Sequence, residues 1–153
     1  MLRRLGRTRA GTNFFRYTFV SLPLGVRLCC NNPMALELEI GRADDVIVVW
    51  CRGRIVFGEE TTELSKKVRA LLPESAQIVL NLGAVSYTDS GGLSTLIGLV
   101  VSARRAGGDI KLCNLSRSIH DVLRITKLLT AIEVYSGEQE AVSAFRRRKG
   151  TRE

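Results

Sequence analysis

The residues best placed to do chemistry are Val85-Ser86-Tyr87-Thr88-Asp89-Ser90-Gly91-Gly92-Leu93. An apolar run, Ile78–Leu82, leads in and a helix-period run, Leu93–Ala103, leads out, so the stretch is expected to be a strand-to-helix turn with Ser90 at its apex. A serine nucleophile needs a base. The one histidine, His120, is followed by Asp121 on an expected helix and reads as a solvent-facing residue, and Ser90 lacks the G-x-S-x-G elbow that exposes a hydrolase nucleophile. Neither G-x-x-x-x-G-K-[ST] nor G-x-G-x-x-G occurs, and Asp89 has no second carboxylate beside it. Two readings stay open for the turn. In one it is an ordinary cap, with Asp89 or Ser90 accepting a hydrogen bond from an orphan N–H of the first helical turn. In the other, Gly91 and Gly92 leave the hydroxyl open to a visitor, at a helix N-terminus that tolerates a phosphate of about −1.5 to −2 charges.

The elements that must position this turn follow a regular order from Met34. Leu36, Leu38 and Ile40 alternate with Glu37 and Glu39 as a half-exposed strand, Arg42–Asp45 turns, and Val46–Cys51 is dense enough in β-branched residues for a central strand. Gly53–Gly58 is expected to be a loop. A helix then opens at Glu59-Glu60-Thr61-Thr62, buries Leu64, Val68, Leu71 and Leu72, and ends at Pro73. After the strand Ile78–Leu82 and the turn, the next helix places Leu93, Leu96, Ile97 and Val100 on one face. Leu99 and Val101 lie to another side, where they are expected to extend the core, the alternative being an exposed apolar patch for a partner. Ile110–Cys113 is a strand, Ser116 caps a helix carrying Ile119, Val122, Leu123 and Thr126, Ile132–Tyr135 is a last short strand, and a terminal helix turns Ala141, Val142 and Phe145 inward. The order β-β-α-β-α-β-α-β-α predicts an α/β fold: a mixed sheet, an initial hairpin followed by parallel strands, packed with about four helices.

Charge separates this domain from its flanks. Of the net +8, residues 1–33 contribute +6 with no acid and residues 146–153 contribute +4, which leaves −2 for residues 34–145. Direct nucleic-acid binding by the domain loses its support. Residues 1–33 are expected to be a basic extension, disordered or upstream of a start at Met34, because the composition changes abruptly at Pro33-Met34; they offer no good signal cleavage site. The tail 146–153 is expected to be a charged, disordered end. Cys29, Cys30, Cys51 and Cys113 form no C-x-x-C pair, which with a single histidine argues against a metal site and for a thiol-reducing, cytoplasmic setting. No apolar stretch approaches the roughly 20 residues of a spanning helix, so no membrane insertion is expected.

The element order, V-S-Y-T-D-S-G-G-L, the strand I-K-L-C-N-L, and Leu123–Leu128 ahead of Ile132-Glu133-Val134-Tyr135 together resemble the STAS domain of bacterial anti-sigma factor antagonists, over about residues 34–145. The resemblance implies a non-enzymatic protein without a cofactor. It implies phosphorylation at Ser90 by an ATP-dependent anti-sigma factor serine kinase, which the unphosphorylated form binds, and restoration by a PPM-type phosphatase. It places the partner-binding surface at Tyr87, Thr88, Asp89, Gly91, Gly92 and Leu93, with Arg54 and Glu59 beside them. Two positions depart from the family pattern. Its second Ser or Thr is Gly91 here, and its G-x-L-D loop reads Gly53-Arg54-Ile55-Val56, with Glu59 or Glu60 as substitutes for the acid or Arg54 as a phosphate partner. STAS domains also serve as small subunits bracing the ATPase of lipid transporters, and a constitutive role of that kind is the alternative.

Overall fold

The computed structural model describes residues 35–150; the 1–33 extension and Met34 lie outside the described residues, as do 151–153. Five strands form one mixed sheet in the order β1-β2-β3-β4-β5. β1 (Glu37–Ala43) pairs antiparallel with β2 (Val46–Ile55), while β3 (Gln77–Thr88), β4 (Asp109–Cys113) and β5 (Val134–Tyr135) continue parallel from β2. The expected hairpin closes through Asp44-Asp45, with Asp44 in the left-handed region at φ 57°. Among the described residues, four helices pack with the sheet: α1 (Glu59–Leu71), α2 (Ser90–Arg105), α3 (Arg117–Ile125) and α4 (Glu138–Gly150), with a 3-10 turn at Leu128–Thr130.

Strand alternation builds two cores. Ile47, Val49 and Cys51 of β2 pack with Ile78, Leu80, Ile110 and Leu112 under the apolar stripes of α1, α2 and α3. Their neighbours Val46 and Val48 face the other way, with Val79 and Cys113, against Ala141, Val142 and Phe145 of α4. Each fully buried aliphatic side chain contributes about 1.5–3 kcal/mol, so both faces of the sheet are held mainly by this apolar contact. Cys51 and Cys113 are free and buried, as small hydrophobes in strands, and burial pushes both thiols up to about 12.

Several expectations need correction. β2 continues past Cys51 to Ile55, taking in Gly53–Ile55 of the expected loop, and β3 runs six residues past Leu82 to Thr88. The β3–β4 pairing stops at Asn81–Cys113, whereas the β2–β3 pairing goes on to Ile55–Thr88 with two register shifts. Beyond Asn81, β2 and β3 therefore form a two-stranded ribbon with no β4 alongside, which explains why Gly83, Ala84, Ser86 and Tyr87 are exposed. Periodicity finds buried strands; it has no purchase on a polar, half-supported one. Leu99 is core as expected, but Val101 is 42% and Val122 41% exposed. The expected disordered tail is wrong over Arg146–Gly150, which form the last turns of α4. Phe145 anchors that segment, and Arg146 and Arg148 ion-pair with Asp44 and Asp109.

Candidate functional site

The site is the tip of the β2–β3 ribbon where β3 hands over to α2. Asp89, not Ser90, is the N-cap: it has extended backbone, φ −104° and ψ −177°, and its carboxylate accepts from the Gly92 N–H at 2.7 Å. The same carboxylate accepts the Phe57 N–H at 3.1 and 3.2 Å, tying the loop after β2 to the start of α2. These amides, Gly92 first and Phe57 next, with those of Asp89 and Gly91, hold the Asp89 carboxyl below the usual carboxylate range.

Ser90 is consequently the first helical residue, with its side chain exposed. Its carbonyl accepts the Ser94 hydroxyl at 2.8 Å, and among the described residues no hydrogen bond engages its own hydroxyl. The cap and the exposed hydroxyl are thus two neighbouring residues.

The flanking positions divide into outward and inward ones. Tyr87 is 52% exposed, and the Arg54 guanidinium lies 5.3 Å from its ring centroid, across the ribbon where the two residues are paired. Thr88 donates its hydroxyl to the Ile55 carbonyl at 2.9 Å, clamping the ribbon's end. Glu59 is exposed in the first turn of α1, with Glu60 next to it. Gly92 and Leu93 do not belong to an outer surface: a Cβ on Gly92 would collide with the Ile55 carbonyl and the Thr88 hydroxyl, and Leu93 is 7% exposed in the core. They support the turn from behind. His120, on α3, lines a separate concavity with Asn114 and Tyr135, away from the Ser90 turn.

Phe57 is the residue that sequence reasoning missed. It is 80% exposed, although a large aromatic. It also sits against Gly91: a Cβ there would lie 2.5 Å from the Phe57 Cβ. At position 91, where the resemblance implies a second Ser or Thr, glycine leaves the space that the Phe57 side chain occupies. The only local signal was an aromatic next to Gly58, which has a positive φ of 130° and caps α1. No His/Cys/Asp/Glu group suited to a metal occurs among the described residues, and no described helix is long and apolar enough to cross a membrane.

Comparison with known proteins agrees with this architecture. The family model described as the STAS domain matches residues 37–141. The chain is 32% identical over 110 residues to the anti-sigma-B factor antagonist of Bacillus subtilis (strain 168), covering 71% of this chain and 99% of that one. The crystal structure of an anti-sigma factor antagonist from Mycobacterium paratuberculosis superposes with a TM-score of 0.66 at 21% identity, over 75% of this chain and 97% of its own. SpoIIAA of Bacillus matches at 19% identity with a TM-score of 0.57 in both its unphosphorylated and phosphorylated forms, over 76% and 72% of this chain and 99% of its own. With the sheet order, the helices and the capped Asp89-Ser90 turn in place, the chain belongs to the STAS domain family, among homologues named anti-sigma factor antagonists.

Proposed function

We propose that this protein is a cytoplasmic anti-sigma factor antagonist that works by partner switching, with Ser90 as its phosphorylated residue. Unphosphorylated, it binds an anti-sigma factor serine kinase through the exposed turn; phosphorylation releases it, and a PPM-type phosphatase returns it to the binding form. The observation that carries this reading is an exposed Ser90 hydroxyl set directly after a cap that uses Asp89 instead. The likeness to SpoIIAA, a protein solved with and without its phosphate, supports it.

The physical basis of the switch is charge. The amides of the turn are already engaged by the Asp89 carboxylate, so a phosphate on Ser90 adds about −1.5 to −2 charges beside an existing anion. A docking partner would have to desolvate both, a penalty of several kcal/mol unless a cation meets them. Arg54, across the ribbon on Tyr87, is a cation beside the turn and a candidate to meet the phosphate in the released form. No residue here needs to act as a base or nucleophile towards a substrate, and the switch uses no cofactor of its own.

The test is capture of the full chain with and without ATP, followed by phosphosite mapping and binding measurements on two variants. Ser90→Asp is expected to weaken kinase binding by about 100-fold, the counterpart of several kcal/mol. Ser90→Ala is expected to block phosphate incorporation and keep binding. Equal affinities of the two variants for a verified kinase would refute the switch. Recovery of a transporter ATPase with no kinase would favour a constitutive bracing role instead.

A further inference from the structure

Beside the Ser90 turn, a groove of ≈ 680 Å³ runs between α1 and α2. Phe57 stands at its edge, and its charged lining residues are Lys66 and Arg69, with no acid among them. Neither cation enters an ion pair among the described residues. Most of the groove's hydroxyls are spent internally: Thr61 and Thr62 donate to the Gly58 carbonyl at 3.0 and 2.8 Å, Ser94 to the Ser90 carbonyl at 2.8 Å and Thr95 to the Gly91 carbonyl at 2.9 Å. What remains for recognition is one large aromatic surface, two positive charges and the Ser65 hydroxyl.

Phe57 is not a loosely placed aromatic. Its N–H is bound to the Asp89 carboxylate and its Cβ lies against Gly91, so it shares one rigid unit with Ser90. A pre-positioned, exposed aromatic with two cations in the groove on one side of it, and the acids Asp89 and Glu59 outside that groove, has the composition of an interface anchor. We propose that Phe57 and the Lys66–Arg69 groove dock an acidic segment of the kinase bearing an apolar side chain, and thereby decide which kinase this antagonist accepts. The apolar residue packs on the Phe57 ring and the segment's carboxylates meet the two cations. This inference rests on the partner-switching reading and adds to it a determinant outside the phosphorylated turn. Gly91 then has a definite role: a side chain there would push Phe57 off its position.

The test uses the full chain against each purified ATP-dependent anti-sigma factor kinase encoded by the source genome, with affinity read by calorimetry and Ser90 phosphate by mass spectrometry. Phe57→Ala is expected to weaken binding about 30-fold, as an interface anchor does. Lys66→Glu/Arg69→Glu is expected to weaken it about tenfold and to flatten its salt dependence, which a merely structural role would not change. Gly91→Ser should reproduce part of the Phe57→Ala loss, whereas Ile125→Ala, at an exposed apolar residue of α3 outside the groove, should bind as the unaltered protein does. If a kinase binds and phosphorylates the protein at Ser90 while Phe57→Ala and the double charge reversal keep their affinity within about twofold, the groove is not the determinant and the partner-switching reading survives. If none of the kinases binds even the unaltered protein, both fall together.

Discussion

Two clusters of charge sit at opposite ends of the parallel strands, and they are built on opposite terms. At the N-terminal end of β4, two buried charges are each paired with partners nearer the surface. Asp109, 3% exposed, accepts from Arg104 at 3.0 Å and Arg148 at 3.2 Å, and Lys111 is fully buried, pairing with Glu133 between the rings of Tyr135 at 5.5 Å and Phe145 at 4.8 Å. These contacts join the sheet to α4. At the ribbon's tip, Asp89, Ser90, Arg54 and Glu59 are left at the surface, and the Asp89 carboxylate is satisfied by backbone amides alone. The first end uses charge to hold an element in place. The second leaves charge adjustable, because a phosphate can be added to or removed from an exposed hydroxyl without disturbing a core.

That contrast makes stability and partner binding separable. The largest effect on stability should come from Glu133→Ala, which strands a buried lysine charge and is expected to cost about 3 kcal/mol. Chemical denaturation would measure it, and kinase affinity of the folded fraction should not change. Loss of binding in a folded Glu133→Ala protein would break the comparison.

A smaller loss, about 2 kcal/mol, is expected from Gly92→Ala, because the added methyl meets backbone at Ile55 rather than a movable side-chain end. This variant should sharpen the distinction by reducing stability from the turn's inward side.

The smallest effect should be on acid stability at Asp89. Its folded pKa is depressed, so its stabilising contribution is present above the ordinary carboxylate value and disappears as pH falls through the lowered one. Glu133 is lowered in the same direction, by its hydrogen bond from Lys111 first. Asp89→Asn removes the first of these titrations, so the decline in melting temperature from neutral pH to about pH 3 should be shallower than in the unaltered protein. An unchanged acid limb would show that the turn contributes nothing to it.

Legibility followed the physics of each element. Buried strands and amphipathic helices announced themselves through periodicity, and Asp89-Ser90 was visible as a polar pair between a strand and a helix. The division of labour within that pair was not, because either oxygen fits a cap and only backbone direction chooses. The ribbon beyond Leu82 was missed since Ser86, Tyr87 and Thr88 carry no apolar alternation on a tip with solvent on one side. The resemblance set Gly92 and Leu93 on the partner-binding surface, but they lie inward, as the helix periodicity had it for Leu93, because α2 begins at Ser90 and turns them to the core. The tail composition 146–153 read as solvated, but Phe145 and the ion pairs of Arg146 and Arg148 continue α4 to Gly150.

By itself, the amino-acid order determined the element sequence, the hairpin before the parallel strands and the position of the strand-to-helix turn, since these depend on neighbours within a few residues. Tertiary structure alone decided that the Phe57 side chain fills the space beside Gly91, that the Phe57 amide completes the Asp89 cap, and that Lys111 is enclosed by Glu133, Tyr135 and Phe145. Each of those contacts joins residues more than 20 positions apart, or on different elements, and exists only once the sheet has set their distance.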